Sequence, residues 1–105
     1  PKVHWVLERI AYALNQVKGD IKVEGHSDDQ PIRGSLRFPN NQVLSEARAL
    51  TVMNLLSRAQ SPVGSDRMTH FGLASSMPVC FEATPACRAK NRRVEITLLV
   101  PPDAR

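Results

Sequence analysis

Apolar residues at Val3, Leu7, Ile10, Leu14 and Val17 recur every three or four positions. That is the period of one helix face, so the spacing predicts an amphipathic helix at the start of the chain. Pro1 suits the first turn of such a helix, where a missing N–H costs nothing, and Gly19 suits the cap position after its end. The period then switches to two. In "DIKVEG", Ile21 and Val23 alternate with Lys22 and Glu24, which predicts a short half-buried strand closed by Gly25.

Residues 26–43 have no period and are punctuated by Pro31, Gly34 and Pro39, so they read as a long loop. A loop of that length in a small domain points to a functional segment. A second helix is expected from about Leu44 to Ala59, its stripe running through Leu44, Val52, Leu55, Leu56 and Ala59, with Asn41 or Ser45 as N-cap. "SPVGSD" is a turn, and a strand is expected around Met68–Phe71. The stretch "ASSMPVCFEATPACRAKN" reads as irregular, with room for one short helical turn. Val94, Ile96, Leu98 and Val100 then alternate as a strong final strand stopped by Pro101 and Pro102. A strand–helix–strand crossover implies parallel pairing, and helices on one sheet face make an α+β or α/β sandwich. Three strands make a narrow sheet, so a further strand is expected upstream of Pro1.

At 105 residues, 42% hydrophobic and 23% charged, the chain reads as one ordinary globular domain, 1–105. Its net charge of +4 permits a polyanionic partner without requiring one. Arg88, Lys90, Arg92 and Arg93 are basic, but no stacking aromatics interleave them and no nucleic-acid-binding pattern surrounds them. They read as a solvated rim, and no nucleic acid is expected. No apolar run is long enough to span a membrane and no signal peptide is visible. The chain starts on Pro1, directly in helical periodicity, and reads as a fragment of a longer protein whose membrane anchor lies outside it. Cys80 and Cys87 have neither CxxC spacing nor a nearby His, which makes a poor zinc site. In an oxidising compartment they would close a small disulfide loop; the alternative is two unrelated thiols.

The chemistry concentrates in "VEGHSDDQPIRGSLRFPNNQVLSEARA". Arg48 falls on the apolar stripe of the second helix, at helical spacing from Leu44, Val52 and Leu55, and a buried guanidinium needs an anion. An internal salt bridge, a snorkelling stem or a bound ligand would each satisfy it. Asp28 and Asp29 follow a strand end, where clefts in α/β sheets tend to form. Asp28 facing Arg48 would hold a zwitterion, the carboxylate taking an ammonium and the guanidinium a carboxylate. Asn41 and Ser45 would add neutral hydrogen bonds at the helix start. A metal hydrolase using His26, Asp28 and Asp29 is a weaker reading, since three near-adjacent ligands in one loop are unspecific. A nucleophilic Ser27 is weaker still, because "GHSDD" lacks the G-x-S-x-G elbow.

"VEGHSDDQPI", "NNQVLSEARALTV" and "RAKNRRVEITLL", in that order, resemble the OmpA-like peptidoglycan-binding domain over residues 3–100. The resemblance implies an α+β, βαβαβ-type two-layer sandwich, with helices on one face of a small mixed sheet and the first strand upstream of Pro1. It implies a non-catalytic periplasmic domain without cofactor or metal, which grips the peptide stem of peptidoglycan at meso-diaminopimelate. The residues carried over are Asp28 and Arg48, with Asn41, Ser45, Ser27 and Arg92 as further contacts. Ser27 replaces the usual Thr. Asp29 stands where relatives often carry Asn, and its charge would either strengthen ammonium binding or raise the pKa of Asp28. The insert "QPIRGSLRFPNN" is similar to that of flagellar MotB proteins and, more closely, to the periplasmic extension of type VI secretion TssL subunits. Relative to the latter, one extra residue sits between Arg33 and Leu36, and Asn40 replaces Ser. The implied role is to anchor an inner-membrane machine to the cell wall, with other secretion subunits and a second copy of the chain as partners; the alternatives are a MotB-like or Pal/OmpA-like wall anchor, or an OmpA-like fold used only for docking onto other subunits of a secretion complex.

Overall fold

The structure, a computed structural model, describes residues 3–32 and 38–101. Helix α1 (Val3–Leu14) leads into strand β1 (Asp20–His26), helix α2 (Asn41–Ser57), a single 3-10 turn (Ser65–Arg67), strand β2 (Met68–Gly72), helix α3 (Pro85–Asn91) and strand β3 (Arg93–Leu99). The sheet order is β2-β1-β3. β1 and β2, joined through α2, are parallel as the crossover predicts, and β3 runs antiparallel to β1 on its other side. The fold is therefore the expected α+β sandwich on a small mixed sheet. Residues 33–37, inside the long insert read as a subfamily marker, lie outside the described residues.

The alternation along β1 is realised: Ile21 and Val23 are buried, and Lys22 and Glu24 face the other side. Ile21 and Val23 join Ala11, Leu14, Ala49, Leu56, Val63 and Met68 in one core, with Val94, Ile96 and Leu98 packed against it. Helix α1 stops at Leu14, short of the expected Val17, whose side chain is exposed. The chain turns at Gly19, whose φ of +133° favours glycine. The carbonyls freed by that turn are collected by one side chain. The guanidinium of Arg67 donates to the carbonyl oxygens of Leu14 at 3.1 Å, Val17 at 3.0 Å and Gly19 at 2.9 and 3.0 Å. This satisfies the acceptors that every helix end leaves open and places a cation at the negative end of α1.

Helix α2 departs from expectation in two respects. It starts earlier, because Asn40 and not Asn41 or Ser45 is the N-cap: its side chain accepts from the N–H of Val43 at 2.9 Å. It also packs through a different face. The fully enclosed positions are Ser45, Ala49 and Leu56, while Leu44, Val52 and Leu55 are only half-buried and Arg48 is exposed. Small size decides the contact. Gly25 and Gly72 are paired across β1 and β2, and α2 lies directly on them. A Cβ on Gly25 would collide with the Ser45 carbonyl, and one on Gly72 would lie 2.6 Å from the Glu46 nitrogen. Where two backbones approach this closely, Ser and Ala fit and larger apolar residues do not.

Helix α3 occupies part of the stretch read as irregular. Thr84 caps it by accepting from the Cys87 N–H at 3.1 Å, and Pro85 starts it.

Candidate functional site

Asp28 follows β1 directly, and its half-buried carboxylate is held at both oxygens. Oδ1 accepts from the Gln30 backbone N–H at 2.9 Å, and Oδ2 accepts from Arg92 Nη1 at 2.7 Å. Arg92 stands between α3 and β3, so three segments meet at this pair. Burial pushes the Asp28 carboxyl up, but the Arg92 hydrogen bond, the Gln30 N–H and the charges of Arg92 and Arg88 outweigh it. The net result is a pKa below the ordinary aspartate value. Asp28 is thus a fixed anion at neutral pH. Asp29 is exposed, and the Asp28 pKa lies below and not above its ordinary value, opposite to the direction a dominant like-charge repulsion would give.

Asp28 and Arg48 are expected to face each other across one pocket; within the fold, the cation that Asp28 meets is Arg92. Arg48 makes no ion pair or side-chain hydrogen bond to any described residue. Because α2 packs through Ser45 and Ala49, Arg48 lies on the flank of the helix, exposed to solvent. It does share a cavity with Arg92. A groove of about 680 Å³ between α1, α2 and the start of β3 has walls from Leu7, Val52, Leu55 and Val94, with Arg48, Arg92 and Arg93 among its lining residues. Its arrangement is three guanidinium groups on an aliphatic groove, with Arg92 paired to Asp28 and Arg93 to Glu95.

Asn41 ties the loop after Asp28 to α2, donating to the Gln30 carbonyl at 2.8 Å and reaching the Asp28 carbonyl at 3.5 Å. Ser45 and Ser27, both expected as contacts, are buried. The Ser45 hydroxyl donates to the Gln42 carbonyl at 3.0 Å and accepts from the Ala74 N–H at 3.1 Å. The Ser27 hydroxyl donates to the Asp28 carbonyl at 2.9 Å, while its backbone N–H bonds the Ala74 carbonyl. Ala74 has φ +48°, a conformation of non-glycine residues that needs such holding. Both serines therefore shape the platform behind the site, with Ser45 wholly enclosed and its hydroxyl already used.

The His26, Asp28, Asp29 metal set does not assemble. His26 points to the other side of the sheet, where Glu24, His26 and Glu95 have donor atoms within 4.8 Å of one another. Both carboxylates there already meet cations, Glu24 with Lys22 at 3.6 Å and Glu95 with Arg93 at 2.5 Å. Burial first, and the Arg93 charge second, lower the His26 pKa, so the ring is neutral at neutral pH. Of the four basic residues read as a solvated rim, Arg92 and Arg93 are instead committed to carboxylates. Cys80 and Cys87 are joined in a disulfide. No helix among the described residues is long and apolar enough to cross a membrane.

The sequence model of the OmpA family matches residues 1–92. The chain is similar to the cell wall anchor of the T6SS from Pseudomonas aeruginosa, at 44% identity and a TM-score of 0.83, over 95% of this chain and 68% of that one. It is similar to the C-terminal domain of Helicobacter pylori MotB at 27% identity and a TM-score of 0.89, over 99% and 78% of the two chains. The peptidoglycan-binding protein ArfA of Mycobacterium tuberculosis is 33% identical over 99 residues, which are 93% of this chain and 28% of ArfA. The chain spans half the length or less of the first curated relatives it matches.

Proposed function

The chain belongs to the OmpA family, and from that premise we propose that it is a non-catalytic module that binds peptidoglycan stems at meso-diaminopimelate. The observation that carries this reading is one groove lined both by Arg48, which pairs with no described residue, and by Arg92, whose other face holds Asp28 in an ion pair. A diaminopimelate stem offers carboxylates and an ammonium. The carboxylates suit Arg48 and the free edge of Arg92, and the ammonium suits Asp28. Charge-assisted hydrogen bonds contribute about 1.5–3 kcal/mol each, so a single stem is held modestly. A wall presenting many stems holds the protein through avidity.

The domain would act in the periplasm, where the Cys80–Cys87 disulfide persists, as the wall-binding part of a membrane-anchored complex. The 44% identity to the T6SS anchor supports a type VI secretion complex, with its other subunits or a second copy of the chain as partners, over a flagellar stator of the MotB kind. Co-sedimentation with insoluble peptidoglycan tests the reading. The wild-type domain should pellet with the wall, and Asp28→Ala and Arg48→Ala should each remain largely in the supernatant. Failure of the wild type to pellet, or full binding by both variants, would contradict it. Release of new products from peptidoglycan fragments would contradict the non-catalytic assignment.

A further inference from the structure

A second cavity, of about 190 Å³, shares no lining residue with the arginine groove. One wall is formed by Ser27 and Asp29, which flank Asp28 in sequence, and the other by the segment around the disulfide: Phe81, Glu82 and Arg88. Phe81 is 86% exposed, the most exposed large apolar side chain among the described residues. An exposed aromatic on a pliant loop signifies little, but this loop is fastened at several points. Cys80 is bonded covalently to Cys87. The Asn91 side chain accepts from the N–H groups of Val79 at 2.9 Å and Cys80 at 3.1 Å, and donates to the Cys80 carbonyl at 2.9 Å. The Glu82 N–H reaches Cys87 Sγ at 3.1 Å. The neighbouring backbone is therefore fixed before any ligand arrives, which removes most of the ordering cost of binding.

We propose that this cavity is a sugar subsite, taking an amino-sugar ring of the peptidoglycan glycan strand against Phe81; the proposal rests on the assignment of Asp28 to the stem. The chemistry is that of pyranose recognition. One face of the ring carries axial C–H groups that pack on an aromatic side chain, while its edge carries hydroxyl and acetamido groups that need donors and acceptors. Asp29 and Glu82 supply acceptors and Arg88 supplies donors around the same cavity. Spacing agrees as well. A stem gripped at Asp28 carries its sugar a few residues away, a reach of about 10 Å in an extended chain, and this cavity begins at the residues on either side of Asp28.

The test is calorimetric titration of the oxidised domain with two ligands: a free stem tripeptide ending in meso-diaminopimelate, and the same tripeptide amide-linked to N-acetylmuramic acid. Wild-type protein should prefer the muramyl ligand by about threefold to tenfold, the scale of one good aromatic contact. Phe81→Ala should abolish that preference while leaving tripeptide affinity unchanged; its side chain is exposed, so folding is not at stake. Equal affinity of the wild type for both ligands, or a preference that survives Phe81→Ala, would overturn the sugar subsite and leave the stem assignment standing. Binding of neither ligand by the wild type would overturn both.

Discussion

Two arginines at opposite corners of the molecule show how donor accounting separates a structural cation from a binding one. At the α1–β1 corner, Arg67 spends its guanidinium on the carbonyls of Leu14, Val17 and Gly19, all within the fold. At the α2 flank, Arg48 has no ion pair or hydrogen bond to any described residue and lines a groove. The same side chain does opposite work. Arg67 closes a helix end that would otherwise leave part-buried acceptors unpaired, whereas Arg48 spends none of its fork on a described residue. Arg92 lies between these extremes: one of its nitrogens fixes Asp28, and the side chain is still 44% exposed.

The comparison can be broken by substitution. The largest expected effect is at the structural corner. Arg67→Ala should lower unfolding free energy by about 2–4 kcal/mol in urea titration, since it strands several carbonyls at once. Peptidoglycan binding should persist at temperatures where the variant is folded. Next comes the loop staple: Cys80→Ser with Cys87→Ser should cost about 2–3 kcal/mol on the chain-entropy account of a short closed loop. Arg48→Ala should move the other readout. Affinity for a stem peptide should fall by about ten- to a hundredfold, the loss of one charge-assisted bond. Stability should change by no more than about 0.5 kcal/mol, as for any exposed side chain without partners. A large stability loss in Arg48→Ala, or unimpaired folding in Arg67→Ala, would erase the distinction.

The smallest effect is the dependence on pH. Asp28, Glu95 and His26 all have folded-state pKa values below their ordinary ones. For each, the unfolded chain takes up protons first as pH falls, so each contributes stability above its unfolded pKa that is lost as pH drops through the folded value. The melting temperature should therefore decline below about pH 6.5, where an unfolded histidine titrates, and decline further in the carboxylate range. Asp28→Asn should melt below the wild type at neutral pH, and the two curves should converge in strong acid, where the Arg92 pair no longer has an anion. A gap that stays constant with pH would mean the pair contributes nothing to folding.

Much of this architecture was legible before the structure. Strand β1 reads directly because β-branched Ile21 and Val23 alternate with charge, and β3 reads for the same reason. Asp28 was legible as a group presented at a strand end. The face of α2 was not, because hydrophobicity was the wrong guide: Ser45 and Ala49 are buried for their size, over glycines that the sequence shows but does not pair. Misplacing that face put Arg48 on the buried stripe, whereas the structure leaves it exposed on the flank of the helix. Helix α3 carried a usable signal, Thr84 followed by Pro85, masked by the surrounding irregular composition. The Asp28–Arg92 pair and the carbonyl cluster around Arg67 join residues 64 and about 50 positions apart, which no local pattern encodes.

The most direct test is a nitrogen-15 NMR titration that follows the arginine Nε–Hε resonances while a meso-diaminopimelate tripeptide is added. Arg67 serves as an internal reference in the same spectrum. The Arg48 and Arg92 signals should shift in proportion to saturation while Arg67 stays fixed. Unmoved Arg48 and Arg92 signals at ligand saturation would contradict the assignment of the groove.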